Sequence, residues 1–219
     1  KAAGAEFLLL DMEHSGANYE MIKTQAQLCR GLDLVPMARV PANQYTFIAR
    51  ALDVGCTGIM APMVSSADEA EYIVSCTRYP PTGRRGAAFG FAHDDYMGGS
   101  VADKIQKAHE RTLVMCLIET AEGIKNIDKI AAVPGVDVVL VANTDLGNFS
   151  GYFDHKTAPY QGLVKQIHDA PLRAGKILGA TDPSYAKGRP DSKDFHMLQN
   201  GPSNDGWVNP NRPAPRSAE

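Results

Sequence analysis

The stretch Leu113 to Asp145, LVMCLIETAEGIKNIDKIAAVPGVDVVLVANTD, decides the fold class. Its two runs, Leu113 to Glu119 and Val136 to Ala142, are short, continuously apolar and rich in β-branched residues. Between them Gly123 to Ala132 carries its apolar residues at helical spacing. Strands apolar on both faces are buried on both, and strands joined by a helix instead of a hairpin run parallel with right-handed crossovers.

The same alternation extends in both directions. Further strands are predicted at Glu6 to Asp11, Leu34 to Val40, Gly58 to Val64, Lys176 to Thr181 and, more weakly, Phe195 to Gln199. Helices are predicted at Tyr19 to Gly31, Tyr45 to Gly55, Ser66 to Thr77, Ser100 to Arg111 and Tyr160 to Gly175. Ser66, with Glu69 three positions on, is a helix-start signature, and Gly31, Gly55 and Gly175 stand where the left-handed residue that ends a helix belongs. The class is α/β with a parallel sheet. Two stretches break the rhythm: the glycine-rich loop Tyr79 to Gly99, whose length marks it as functional or disordered, and a proline-rich polar tail from Gly201 onward. Residues 1–200 therefore read as one catalytic domain and 201–219 as a tail.

Composition removes several function classes. Of 219 residues, 22 are basic and 25 acidic, so a net charge of −3 gives no general reason to bind nucleic acid or an anionic membrane. The longest apolar runs fall far short of the roughly 20 residues of a membrane-spanning helix. Cys29, Cys56, Cys76 and Cys116 lack the paired spacing of zinc sites and sit in apolar surroundings, so they read as buried reduced thiols of a cytoplasmic chain. The first residue is Lys1, so the natural start is expected to be missing or processed.

Charged residues gather at the carboxyl ends of the predicted strands. The first ends in Asp11-Met12-Glu13-His14, the second near Arg39, the fourth at Glu119, and the fifth runs into Asn143-Thr144-Asp145. In parallel α/β folds these ends share the face that carries the active site. Two carboxylates there without a His or Cys partner suit a hard ion, Mg²⁺ or Mn²⁺, with open positions for a 2-oxo acid. Arg39 would neutralise a developing enolate oxygen and His14 would move a proton, a set suited to making or breaking a carbon–carbon bond beside a carbonyl.

Each residue also has a plainer reading. Asp145, before Leu146-Gly147, suits a helix N-cap; Glu119, before Thr120-Ala121-Glu122, suits a helix start; His14 suits a hydrogen-bonded loop. Arg39 closing a buried strand, and Asp53 on the apolar face of Ile48, Ala51 and Leu52, each require a partner of opposite charge. Gly83-Arg84-Arg85-Gly86 lacks a nucleotide-loop pattern, His93-Asp94-Asp95 reads as a solvated loop, and Trp207 lies in the tail.

The motifs LLLDMEHSG, ARVPANQYTFIARALDVGCTGIMAPMV, TRYPPTGRRGAAFGF, IETAEGIKNIDKIAAVPGVD and the TDL of NTDLGNF together resemble the HpcH/HpaI family, across Ala3 to Thr181. These are class II, metal-dependent pyruvate aldolases on a (β/α)8 TIM barrel, which cleave 4-hydroxy-2-oxo acids to pyruvate and an aldehyde through a metal-bound enolate. The resemblance implies Glu119 and Asp145 as ligands of Mg²⁺ or Mn²⁺, Arg39 on the pyruvate oxygen, and a catalytic His14 paired with Asp53. It also implies Asp11 at the aldehyde end, Arg85 in a loop bordering the substrate, and backbone amides at Asn143 and Thr144 for the substrate carboxylate. Its partners would be a small 2-oxo acid and an aldehyde, in a homo-oligomer whose subunits exchange a terminal helix.

The sequence departs from the family pattern at Leu117, where a glutamine is usual, and at Ala142-Asn143, where Gly-Pro is usual. The barrel is expected to lack its first strand and the exchanged carboxyl-terminal helix. Two alternatives stay open: a decarboxylase of oxaloacetate-type 2-oxo acids, which passes through the same enolate, and a non-catalytic remnant.

Overall fold

A computed structural model describes residues 4–182 and 190–198. The tail expected from Gly201, Trp207 within it, and the last residue of the weak strand, Gln199, lie outside the described residues.

Among the described residues seven strands form one sheet: β1 (Phe7–Asp11), β2 (Val35–Arg39), β3 (Gly58–Ala61), β4 (Leu113–Ile118), β5 (Val138–Val141), β6 (Ile177–Ala180) and β7 (Phe195–Leu198). Each pairs in parallel with its sequence neighbour, in spatial order β1 to β7. The connecting helices are α1 (Tyr19–Gly31), α2 (Tyr45–Asp53), α3 (Ala67–Thr77), α4 (Val101–Arg111), α5 (Ala121–Lys125), α6 (Ile127–Ala132), α7 (Asn143–Ser150) and α8 (Ala158–Arg173).

The pleat divides the strand residues into two cores. Leu9, Met37, Met60, Met115, Leu117, Leu140 and Met197 meet in an inner cluster, so the sheet is rolled around them. Alternate residues, among them Ala38, Ile59, Cys116, Val139 and Val141, face the helices and pack on Ile22, Ile48, Ile73, Ile130 and Ile167. Removing each of the valine and isoleucine side chains from water contributes about 1.5–3 kcal/mol. Register fixes the rows inside: Leu9 lies beside Met37, Met37 beside Gly58, and two residues further along Asp11 lies beside Arg39. Gly58 is required there, because a Cβ would stand 2.9 Å from Met37 Cγ.

The caps explain most boundaries. Ser66 Oγ accepts from Glu69 N, and Glu69 turns its carboxylate back to Ser65 N at 2.9 Å and to the Asn43 amide at 2.8 Å. Gly55 and Gly175 take the expected positive φ, but after α1 it is Asp33 (φ 52°), not Gly31, that occupies the left-handed position. The single helix expected at Gly123 to Ala132 is broken at Asn126, whose side chain donates to Ser65 O at 2.8 Å and draws the backbone out of helical line. Helix α7 was not expected, since Asn143, Gly147 and Asn148 are weak helix formers.

The four cysteines are free and buried, and burial pushes the Cys56 and Cys116 thiols up to about 12, which leaves them unreactive. Among the described residues no helix is long and apolar enough to cross a membrane.

Candidate active site

Inner-facing positions run apolar from the base of the sheet to its carboxyl ends and there turn polar: Asp11 on β1, Arg39 on β2 and Glu119 just past β4. Asp11 and Arg39 are register partners, and Arg39 Nε donates to Asp11 Oδ1 at 2.9 Å while its Nη2 binds Oδ2. The same Asp11 carboxylate accepts the backbone N–H groups of Glu13 and His14. Burial works to raise its pKa, but the Arg39 hydrogen bond and charge and these amides outweigh it, and the carboxyl sits below its usual range. Arg39 thus meets the demand for an anionic partner.

Glu119 is 3% exposed. Its Oε1 accepts the Met63 backbone N–H at 2.7 Å. It does not cap α5, because Thr120 does so through Oγ1. Burial first, then the charges of Asp145 and Glu13, push its carboxyl up to about 7 against the opposing pull of the Met63 amide and Arg39. Asp145 is not an N-cap either. It stands at the third position of α7, whose cap residue Ala142 has no side-chain acceptor, and its carboxylate makes no hydrogen bond or ion pair among the described residues.

Glu13 was not singled out from the sequence. Its Oε2 is buried without a hydrogen bond, 3.5 Å from both Arg39 Nε and His14 Nε2. Burial raises its pKa first, Arg39 and His14 offset this, and Asp11 and Asp145 add to it. The one available signal was its place in the same strand-end run as Asp11 and His14. His14 itself lies at the rim with its side chain 56% exposed.

The other expected residues divide. Asn143 is buried; its carbonyl and amide oxygen accept from the Tyr160 hydroxyl, and its amide nitrogen donates to Asp182 at 3.1 Å. Thr144 is exposed beside it. Asp53 and Arg85 are not brought to this end. Asp53 closes α2, which runs back towards the start of β3, where Thr57 N meets Pro36 O at the base of β2. A five-residue strand spans about 15 Å, so the implied His14–Asp53 pair does not form within one chain. Asp53 Oδ1 instead accepts from Arg85 Nη2 at 2.6 Å, and the Arg85 side chain is 2% exposed, over the Tyr79 ring. The loop expected to border the substrate is therefore fastened at the opposite end of the sheet. Its turn at Ala92–Asp94 is held by Arg30 on Ala92 O, Arg111 on His93 O and Lys104 on Asp94 at 2.6 Å.

The donor set at the carboxyl ends fits a hard divalent cation. No three His, Cys, Asp or Glu side chains form a closed ligand group among the described residues. The chain offers two carboxylates, Glu119 and Asp145, which matches an ion that keeps its other positions for water and substrate oxygens. A carboxyl held near 7 by burial and neighbouring acids is one that a cation would relieve.

Comparison with known proteins finds relatives over most of the described chain. The family model described as HpcH/HpaI aldolase/citrate lyase matches residues 1–161. A 5-keto-4-deoxy-D-glucarate aldolase of Shigella boydii is 34% identical over 188 residues, 85% of this chain and 72% of that protein. A solved HpcH/HpaI aldolase/citrate lyase family protein from Burkholderia cenocepacia superimposes with TM-score 0.82 at 28% identity, over 90% of this chain and 79% of its own. The HpcH/HpaI aldolase of Desulfitobacterium hafniense gives 0.83 at 26% identity, over 90% and 77%.

Proposed function

The chain belongs to the HpcH/HpaI aldolase/citrate lyase family and is a carbon–carbon lyase, and from that premise we propose that it cleaves 4-hydroxy-2-oxo acids to pyruvate and an aldehyde. The observation that carries this reading is the buried Glu119, its carboxyl raised to about 7 beside Asp145 and Glu13 and within the field of Arg39. The family's eight-stranded barrel is the frame in which these strand ends close around a substrate.

Glu119 and Asp145 would hold a divalent ion, Mg²⁺ or Mn²⁺, which would supply Lewis acidity to the 2-oxo group. Arg39 meets the keto oxygen and stabilises the negative charge that develops there. Asp11 holds the guanidinium in that orientation through its paired bonds. Backbone amides at the uncapped start of α7 receive the substrate carboxylate. His14, at the rim beside Glu13, takes the proton of the 4-hydroxyl. The C3–C4 bond then breaks, C4 leaves as the aldehyde, and the electron pair spreads from C3 onto the keto oxygen. Return of the proton to C3 gives pyruvate.

A His14–Asp53 dyad requires two copies, the carboxyl end of one barrel facing the base of the next, and we read the enzyme as a homo-oligomer on that ground. The test of the reaction is product analysis with a divalent ion present. Pyruvate and an aldehyde should appear in equal amounts from a 4-hydroxy-2-oxo acid, and Glu119→Gln or Asp145→Asn should abolish their formation in folded protein. Turnover of oxaloacetate alone would overturn the aldolase assignment.

A further inference from the structure

Asn43, in the loop between β2 and α2, donates both hydrogens of its side-chain amide. One goes to Pro62 O at 2.7 Å and the other to Glu69 Oε1 at 2.8 Å. Two acceptors fix which end of the amide faces them. Glu69 is itself held, since its Oε2 accepts Ser65 N at 2.9 Å. Asn43 Oδ1 is buried with no hydrogen bond among the described residues, a cost that a hydrocarbon side chain would avoid here. What this position supplies is its two donors.

Pro62 O belongs to the same peptide group as the Met63 N–H, which reaches Glu119 Oε1 at 2.7 Å. In a trans peptide the C=O and N–H point in opposite directions, so Asn43 and Glu119 grip one planar group from its two sides. The next peptide is pinned separately. Met63 O accepts from Ser65 Oγ at 2.9 Å, and Val64 N donates to Leu117 O at 3.1 Å.

Backbone strain works against the Pro62–Met63 peptide as it stands. Met63 has φ 58°, a left-handed conformation that is costly for a residue with a side chain. A half-turn of this one peptide changes ψ of Pro62 and φ of Met63 together, and would return Met63 to negative φ. It would also turn a carbonyl oxygen, not an N–H, towards the buried Glu119 carboxylate. The bonds of the following peptide would survive that rotation. What opposes it on the far side of the plane is Asn43.

We propose that Asn43 is a positioning residue for Glu119: it latches the Pro62–Met63 peptide with its N–H on that carboxylate, and so keeps Glu119 oriented for a divalent cation. This rests on the reading of Glu119 as a cation ligand and deepens it.

Two readouts on the full chain test it: amide hydrogen exchange at Met63 and Val64, and Mn²⁺ affinity by calorimetry without substrate. In the parent, Met63 N–H should be protected as Val64 N–H is, a result that needs no variant. Asn43 is half-buried, so its truncation spares the core. Asn43→Ala should speed exchange at Met63 at least tenfold, leave Val64 unchanged and weaken Mn²⁺ binding roughly 10–100-fold. Adding Met63→Gly removes the penalty on positive φ, so the double variant should recover part of the lost affinity. A residue that merely packed the loop predicts the reverse, because glycine loosens the chain further. Free exchange at Met63 in the parent, equal acceleration at Met63 and Val64, unchanged Mn²⁺ affinity in Asn43→Ala, or further loss in the double variant overturns the proposal. Any of these with Mn²⁺ still bound by the parent sinks the role of Asn43 alone. A parent that binds no Mn²⁺ sinks the reading of Glu119 and that role with it.

Discussion

Met63 donates its backbone N–H to Glu119 Oε1 at 2.7 Å, and it does so from the left-handed region, at φ 58°. The turn after β3 thus reaches across to the end of β4 and orients the buried acid. A non-glycine residue at positive φ costs roughly 1–2 kcal/mol, so this strain is concentrated beside the candidate ligand.

The raised Glu119 carboxyl makes stability depend on pH. Its pKa rises from 4.5 to about 7 on folding, so the folded state binds the proton more tightly than the unfolded one. The associated stability is fully present below pH 4.5 and is lost as pH rises through 7, by about 3 kcal/mol in all. Relative to Glu119→Gln, the metal-free parent should lose roughly 5–10 °C of Tm between pH 5 and pH 8. Parallel Tm profiles for the two proteins would show that Glu119 titrates normally.

Arg39 should be costly to lose in two ways. Arg39→Ala removes stabilisation of the keto oxygen, and kcat for a 4-hydroxy-2-oxo acid should fall about a hundredfold or more. It also leaves the Asp11 carboxylate buried without its counter-charge, which should destabilise the fold by about 3 kcal/mol, read by urea unfolding. A loss of activity of only a few-fold would remove Arg39 from the chemistry.

Gly123 is a steric prediction close to the same acid. A Cβ on it would stand 2.6 Å from Val64 O, and Val64 N is itself bonded to Leu117 O on β4. The carbonyl cannot move without disturbing the strand that presents Glu119. Gly123→Ala should therefore cost about 1–3 kcal/mol and lower the affinity for Mn²⁺. Wild-type thermal stability in that variant would show that the loop yields freely.

The placement of His14 and Asp53 at opposite ends of the sheet predicts complementation. His14→Asn and Asp53→Asn should each be nearly inactive alone, and mixed oligomers reassembled from both should regain activity. Mixtures as inactive as their components would count against a dyad shared between copies.

Much of this was legible in the sequence. Buried parallel strands announce themselves as unbroken apolar runs, and their polar endings point to one end of the sheet, so Asp11, Arg39, Glu119 and Asp145 are picked out as candidates without coordinates. What was not legible depends on three dimensions. Asn126 breaks a helix because Ser65, 61 residues away, offers a carbonyl. Helix α7 forms from weak helix formers because a strand end and Gly151, at φ 76°, bound it. Glu13 reads as one polar residue among several until burial leaves its Oε2 without a hydrogen bond. Asp53 asked for a partner in the sequence, but only the direction of α2 shows that the partner within the chain is Arg85 and not His14.

The central claim is that Glu119 and Asp145 together hold a divalent ion that pyruvate completes. Calorimetric titration with Mn²⁺, with and without pyruvate, tests it most directly. The account predicts that pyruvate tightens Mn²⁺ binding in the parent and that Glu119→Gln and Asp145→Asn each abolish this coupling while remaining folded. Mn²⁺ binding indifferent to pyruvate, or equally tight in both variants, would contradict it.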